Sequence, residues 1–117
     1  MDTEKVREYC LKKNNVTESF PFNDETLVFK IFGKMFCLLN LVYPYSVNLK
    51  CEPEKAVKLR EEFEEIKPGF HMNKKHWNTV DLTGELQEDF IKNLIDNSYN
   101  LVVSKLPKSK IKRTDRK

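Results

Sequence analysis

Thr26-Leu-Val-Phe-Lys-Ile-Phe-Gly-Lys-Met-Phe-Cys-Leu-Leu-Asn-Leu41 reads as a β-hairpin. Thr26 to Phe32 is rich in β-branched and aromatic residues, Gly33-Lys34 turns the chain, and Met35 to Leu41 is a near-continuous apolar run. Leu27, Phe29 and Ile31 then share one face. After a turn at Tyr43-Pro44-Tyr45, Ser46 to Cys51 alternates, with Val47, Leu49 and Cys51 on one side and Ser46, Asn48 and Lys50 on the other. This predicts a third antiparallel strand with one wet face.

Outward from this meander the periodicity becomes helical. Asp2 to Lys13 places Val6, Tyr9 and Cys10 on one face, with Asp2 or Thr3 as cap. Val16 to Glu25 reads as a loop that carries the extended piece Phe20-Pro21-Phe22. Glu52-Pro53-Glu54 starts a second helix that is expected to run to about Glu65, with Ala56, Leu59, Phe63 and Ile66 inward. Lys67-Pro68-Gly69 breaks it, and Phe70 to Leu82 holds one or two short strands, His76 to Asp81 the clearer. The last helix is predicted from Thr83 to about Lys105 on a stripe of Leu86, Phe90, Ile91, Leu94, Ile95, Leu101 and Val102. The fold class is therefore α+β, an antiparallel sheet packed with helices in the order α-β-β-β-α-β-β-α. Leu38, Leu49, Phe63, Phe90 and Leu94 are expected in its core.

At 117 residues the chain fits a single domain over residues 1–107, followed by a tail, 108–117. Only Ile111 in that tail is large and apolar, so disorder is expected there. No apolar stretch reaches the roughly 18 residues that a bilayer span needs, and residues 1–13 do not resemble a signal peptide. Cys10, Cys37 and Cys51 are odd in number and form no C-x-x-C pair, which points to reduced thiols in the cytoplasm. Charge is divided unevenly. Residues 105–117 carry seven Lys/Arg against one Asp, while 14 basic and 17 acidic residues precede them. Attraction to a polyanion must then come from the tail or from a local patch.

Catalytic signatures are missing. No Ser or Cys sits in a nucleophile motif, three glycines leave no phosphate-cradling loop, and His71 and His76 stand five apart without a metal-ligand spacing. No cofactor, metal site or enzymatic activity is expected. His71-Met72-Asn73-Lys74-Lys75-His76-Trp77-Asn78 gathers two cations, two imidazoles, an indole and two amides, a set suited to phosphate contact, base stacking and base-edge hydrogen bonds. The same residues also suit structure, with Trp77 as an anchor and the lysines guarding a sheet edge. If residues 76–81 are extended, His76 and Asn78 face away from Trp77 and Thr79. Lys30 and Lys50 are expected on the wet sheet face with Asn48, extending a basic patch toward Lys74 and Lys75.

Five strings carry a resemblance: Phe20-Pro-Phe-Asn-Asp-Glu-Thr-Leu-Val-Phe-Lys30, Gly33-Lys-Met-Phe36, Leu49-Lys-Cys-Glu-Pro53, Pro68-Gly-Phe-His-Met-Asn-Lys-Lys-His-Trp-Asn-Thr-Val80 and Ser98-Tyr-Asn-Leu-Val-Val-Ser-Lys-Leu-Pro107. Together they resemble the MmcQ/YjbR family from the first helix to Pro107. Phe70 stands where that pattern expects Tyr, and Phe32 where it expects Gly. The resemblance implies a secretion-chaperone-like fold, and a DNA-binding label drawn from fold comparison and a double-wing arrangement. Fold alone does not carry function. The expectation is a non-enzymatic, cytoplasmic, monomeric binding protein that takes DNA or another nucleic acid weakly through Lys74, Lys75, His76, Trp77, Asn78, His71, Lys50 and Lys30 with the tail. The alternative is a protein-interaction adaptor that uses exposed aromatics near Phe20 to Phe22 or Tyr43 to Tyr45.

Overall fold

The computed structural model describes residues 1–107. The tail, 108–117, for which disorder was expected, lies outside the described residues. The elements are α1 (Thr3–Leu11), β1 (Val16–Ser19), β2 (Thr26–Ile31), β3 (Lys34–Asn40), β4 (Ser46–Lys50), α2 (Pro53–Glu62), β5 (Ile66–Pro68), β6 (Trp77–Asp81) and α3 (Glu88–Ser104). They build an α+β domain in which one antiparallel sheet, ordered β1-β2-β3-β4-β6-β5, carries the helices on its inner face. The predicted order is present, with one edge strand added ahead of the meander.

That strand, β1, falls inside the segment read as a loop. Its pairing, Val16↔Ile31 to Ser19↔Val28, is reinforced from the helix side. Arg7 forks onto Glu18 with Nε and Nη2 each at 2.8 Å. These hydrogen bonds outweigh burial and hold the Glu18 carboxyl below its ordinary pKa. A four-residue strand of Val-Thr-Glu-Ser has no apolar alternation to reveal it.

The hairpin turns at Phe32-Gly33, both with positive φ (47° and 80°), one residue earlier than expected. Two successive left-handed residues match the twist of the flanking strands. Farther along, the register slips between Phe29 and Lys30: Phe29 pairs with Cys37 and Lys30 with Met35. Phe36 is the extra residue of this bulge. Phe36 and Cys37 can therefore both join the inner core, although they are adjacent in sequence. The bulge frees the Phe36 carbonyl, and Ser98 of α3, fully buried, donates its hydroxyl to it. The same Oγ accepts the Lys50 amide at 2.9 Å. One hydroxyl thus satisfies two backbone groups that the bulged sheet leaves over.

The inner core is filled by Phe29, Ile31, Phe36, Cys37, Leu39, Val47, Leu49, Val80, Ile91 and Ile95 under α1, α2 and α3. Leu49 and Leu94 are buried as expected. Leu38 is buried too, but on the outer face, where it packs with Val28 and Trp77. Phe63 and Phe90 are only half-buried and pack on each other at 4.8 Å between ring centroids.

Two predicted boundaries move, for identifiable reasons. Helix α2 stops at Glu62 because the Glu65 carbonyl is taken by the Asp81 amide at 2.8 Å, which draws Ile66 into a strand beside Val80. Helix α3 starts at Glu88 instead of Thr83. Asp81 Oδ1 holds the Thr83 amide at 2.8 Å, and Glu65 Oε2 holds the Glu85 amide at 3.0 Å. Gly84 leaves room for this carboxylate, since an added Cβ would stand 2.5 Å from Glu65 Cγ and push the side chain aside.

Helices α1 and α3 are clamped by Tyr9, which donates to Asp96 at 2.7 Å, and by Lys13, which pairs with the same carboxylate. Burial first, then the bond to Asp96, pushes the Tyr9 hydroxyl up to about 12.

Replacing Ser98 with Ala should destabilise the domain by about 2 to 4 kcal/mol, because two buried backbone groups lose their partner. Urea unfolding measures this, and a loss below about 0.5 kcal/mol would contradict the account. For Tyr9, the raised pKa means that its contribution is present below about pH 10 and is lost as pH rises toward 12. Tyr9→Phe should cost roughly 1 to 2 kcal/mol at pH 7 and flatten the alkaline fall in stability, as read by urea midpoints at pH 8 and pH 11.

Candidate nucleic-acid interface

Strand β6 and the loop before it carry most of the residues singled out from sequence, and the structure separates them. Trp77 and Thr79 face outward while Asn78 and Val80 face the helices, as the alternation required. Asn78 is 3% exposed and donates through Nδ2 to the Ala56 carbonyl at 3.3 Å. It is therefore removed from any surface site. Trp77, 7% exposed, closes a small outer cluster with Val28 and Leu38, flanked by Met35 and Met72. So little of its side chain borders solvent that the stacking role envisaged for it has almost no open ring to use.

The loop from Gly69 to His76 is held by its own backbone. The Asn73 carbonyl accepts from the His76 and Trp77 amides, and Asn73 Oδ1 accepts from the Lys75 amide. Lys74 folds back, with Nζ 2.9 Å from the Gly69 carbonyl, and its own carbonyl takes Arg60 Nη2 at 2.9 Å. The Lys74 ammonium is thus a structural tie. Lys75 projects from the turn and is exposed. His71 has φ 59°, a left-handed residue at which the chain reverses, and its ring lies 4.0 Å from that of Phe70. His71 and His76 end up in different grooves.

The first groove, about 600 Å³, opens where β4 runs into α2. Lys50, His76 and Trp77 line it together with Lys34, at the start of β3, and Lys105, at the end of α3. Lys50 Nζ lies 5.9 Å from the Trp77 ring centre. Glu52, which precedes the first turn of α2, is the one carboxylate among the lining residues. Three cations from three elements therefore share one groove with a single acid among its described lining residues, and the positive end of the α2 dipole borders it. Cys51 also lines this groove, and burial raises its thiol pKa, which makes it a poor nucleophile. Lys30 faces outward on β2 beside Met35, outside the lining of this groove.

The second groove, about 560 Å³, crosses the outer sheet face at the other end of β4, with Asn40, Ser46, Asn48, Thr79, Phe22 and Phe70 among its lining. Sequence reading placed Lys50, His76 and Trp77 near one another. It missed Lys34 and Lys105, which α3 brings to the sheet from far along the chain.

The fold and its clefts define a small α+β domain with helices on one sheet face, an open groove at the end of the sheet beside α2 and α3, and a second groove across the outer face. Among the described residues no group of three His, Cys, Asp or Glu is placed to hold a metal, and no helix is long and apolar enough to cross a membrane. The chain belongs to the YjbR family, whose model matches residues 11–101. It is 40% identical over 112 residues to the uncharacterised protein YbdF of Escherichia coli O157:H7, covering 94% of this chain and 91% of that one. To the uncharacterised YjbR of Escherichia coli K12 it is 33% identical, covering 96% of each. A crystal structure of the Deinococcus radiodurans protein DR2400 superposes with a TM-score of 0.89 at 37% identity, over 96% of this chain and 86% of that one.

Gly69 is a sharp test of this loop. A Cβ there would lie 2.8 Å from Trp77 Cβ and 3.0 Å from the Trp77 carbonyl oxygen. Gly69→Ala should cost about 1 to 3 kcal/mol and shift the emission of Trp77, the single tryptophan, toward the red. Unchanged stability and emission would show that the loop is looser than described.

Proposed function

We propose that this is a non-enzymatic, cytoplasmic protein that binds nucleic acid weakly, taking backbone phosphates in the groove of Lys34, Lys50, His76 and Lys105. The observation that carries the reading is the meeting of three lysines from β3, β4 and α3 in one cleft, on a body that is otherwise acidic. Clustered cations in a concave surface focus potential and attract polyanions. Lys105, on the groove wall, begins the run of seven Lys/Arg through residue 117, so the basic sequence continues from the groove itself. Lys75 and Lys30 lie farther out and serve long-range attraction. The cytoplasmic setting is supported by three cysteines that are all unpaired and buried.

Binding of labelled oligonucleotides at two salt concentrations tests the reading. Replacing Lys34, Lys50 and Lys105 together by Ala should lower the salt dependence on duplex DNA by about 2 to 3 units of log-log slope, roughly 0.9 per phosphate contact. Removal of residues 108–117 should lower it further. No binding by the full chain at tens of micromolar in low salt, or a slope that the lysine variant leaves unchanged, ends it.

A second reading, as a protein-interaction adaptor, rests on a different end of the molecule. Phe20, Phe22, Leu41, Val42, Tyr43 and Tyr45 are all exposed, and they come from two loops joined by the Leu41 amide and the Glu25 carbonyl at 2.9 Å. Exposed apolar groups gathered at one end suit a polypeptide partner. Retention of a cellular protein after nuclease treatment, lost on Val42→Ser with Tyr43→Ser, distinguishes this reading from the first.

A further inference from the structure

We infer that the second groove, across the outer face of β2, β3, β4 and β6, seats unpaired nucleobases, so that the nucleic acid bound is single-stranded. This rests on the phosphate-binding reading of the first groove and adds what the strand does beyond it.

The walls of the groove are aromatic and open. Phe22 enters from the β2 side, 63% exposed, and Phe70 from the β6 side, 66% exposed. Three strand spacings, about 14 Å, separate β2 from β6. Phe70 is held in place from below: its amide donates to Thr79 Oγ1 at 2.8 Å and its carbonyl accepts from Asn48 Nδ2 at 3.2 Å. An apolar cluster that includes Met72 lies close by, yet the Phe70 ring points to water with the His71 imidazole against it. A backbone fixed at both groups and a ring kept out of the core make a platform.

The floor selects what can lie on that platform. Asn40, Ser46, Asn48 and Thr79 are neutral, and Glu25 is the charged group at the rim. Among the described residues no lysine or arginine lines this groove, so phosphate is disfavoured on this surface and a neutral planar ring is favoured. Aromatic side chains that hold successive bases, beside a cationic track for the backbone, are the usual means of binding single strands. The track is continuous with the platform. Strand β4 carries Ser46 and Asn48 in this groove and Lys50 in the cationic one. The four residue-to-residue steps from Ser46 to Lys50 span about 13 Å, within reach of a short extended strand. A duplex keeps its bases paired and stacked, and reaches only the cations.

The test compares a single-stranded oligonucleotide, its matched duplex and a strand of the same length with abasic positions, at one ionic strength, against wild type, Phe22→Ala, Phe70→Ala and Phe70→Tyr. Both phenylalanines are exposed, and Trp77 emission confirms that each variant is folded. Each alanine should weaken single-strand binding roughly 5- to 100-fold while leaving duplex binding and the salt slope unchanged, and Phe70→Tyr should restore it. The abasic strand should bind wild type as weakly as the intact strand binds the alanine variants. Alanine variants that bind the single strand as wild type does overturn this inference while the lysine reading stands. Equal affinity for the intact and abasic strands also overturns it and gives the groove to another occupant, such as a peptide aromatic. Absence of binding to every oligonucleotide overturns both.

Discussion

The hydroxyl of Ser98 joins the two layers of the molecule. A bulge at Phe36 lets two consecutive side chains enter the core, which a regular strand forbids, and it frees a carbonyl that water cannot reach. Ser98 meets that carbonyl and the Lys50 amide together, so the helix α3 is placed against β3 and β4 at one height and no other. The cationic groove follows from this. With α3 fixed there, Lys105 at its end lines the same groove as Lys34 and Lys50, and the chain after Lys50 leaves the sheet toward α2.

The outer sheet face is an incomplete second core. Val28, Leu38 and Trp77 are buried without a helix above them, covered by Met35 and by Met72 of the loop before β6. This explains why β2 buries Leu27, Val28 and Phe29 in succession instead of alternating. It also explains why the residues richest in nucleic-acid chemistry by composition are divided. The loop spends Trp77 on covering the sheet and Lys74 on tying its own backbone, and leaves His71, Lys75 and His76 at the surface in separate directions.

Much of the architecture was legible because it is written in periodicity. Ser46 to Lys50 alternates in burial as its residues do in polarity, so the outward placing of Asn48 and Lys50 was available from sequence. The opposed faces of Trp77 and Asn78 followed from the same rule. The bulge was hidden because Met35 to Leu41 is apolar throughout, and such a run has no phase to break. β1 was hidden because its place comes from pairing with β2 and from an ion pair to α1, neither of them local. The half-exposure of Phe63 and Phe90 has a similar cause. A helical stripe gives the direction of a side chain but not how much of it the neighbouring element covers. The convergence of Lys34, Lys50 and Lys105 needed the crossing of α3, and the platform of Phe22 and Phe70 needed the order of strands in the sheet.

Arg60 gives α2 a reach that its length does not suggest. Its Nε stays on the Ala56 carbonyl within the helix, which also receives Asn78, while Nη2 extends to the Lys74 carbonyl in the loop that bears Phe70. The first turn of the same helix borders the cationic groove. Ten residues of helix make a stiff rod of about 15 Å. One end of that rod borders the cationic groove and the other is hydrogen-bonded to the aromatic loop. The guanidinium of Arg60 thus makes α2 a shared strut, fixing the walls of both clefts to one rigid element.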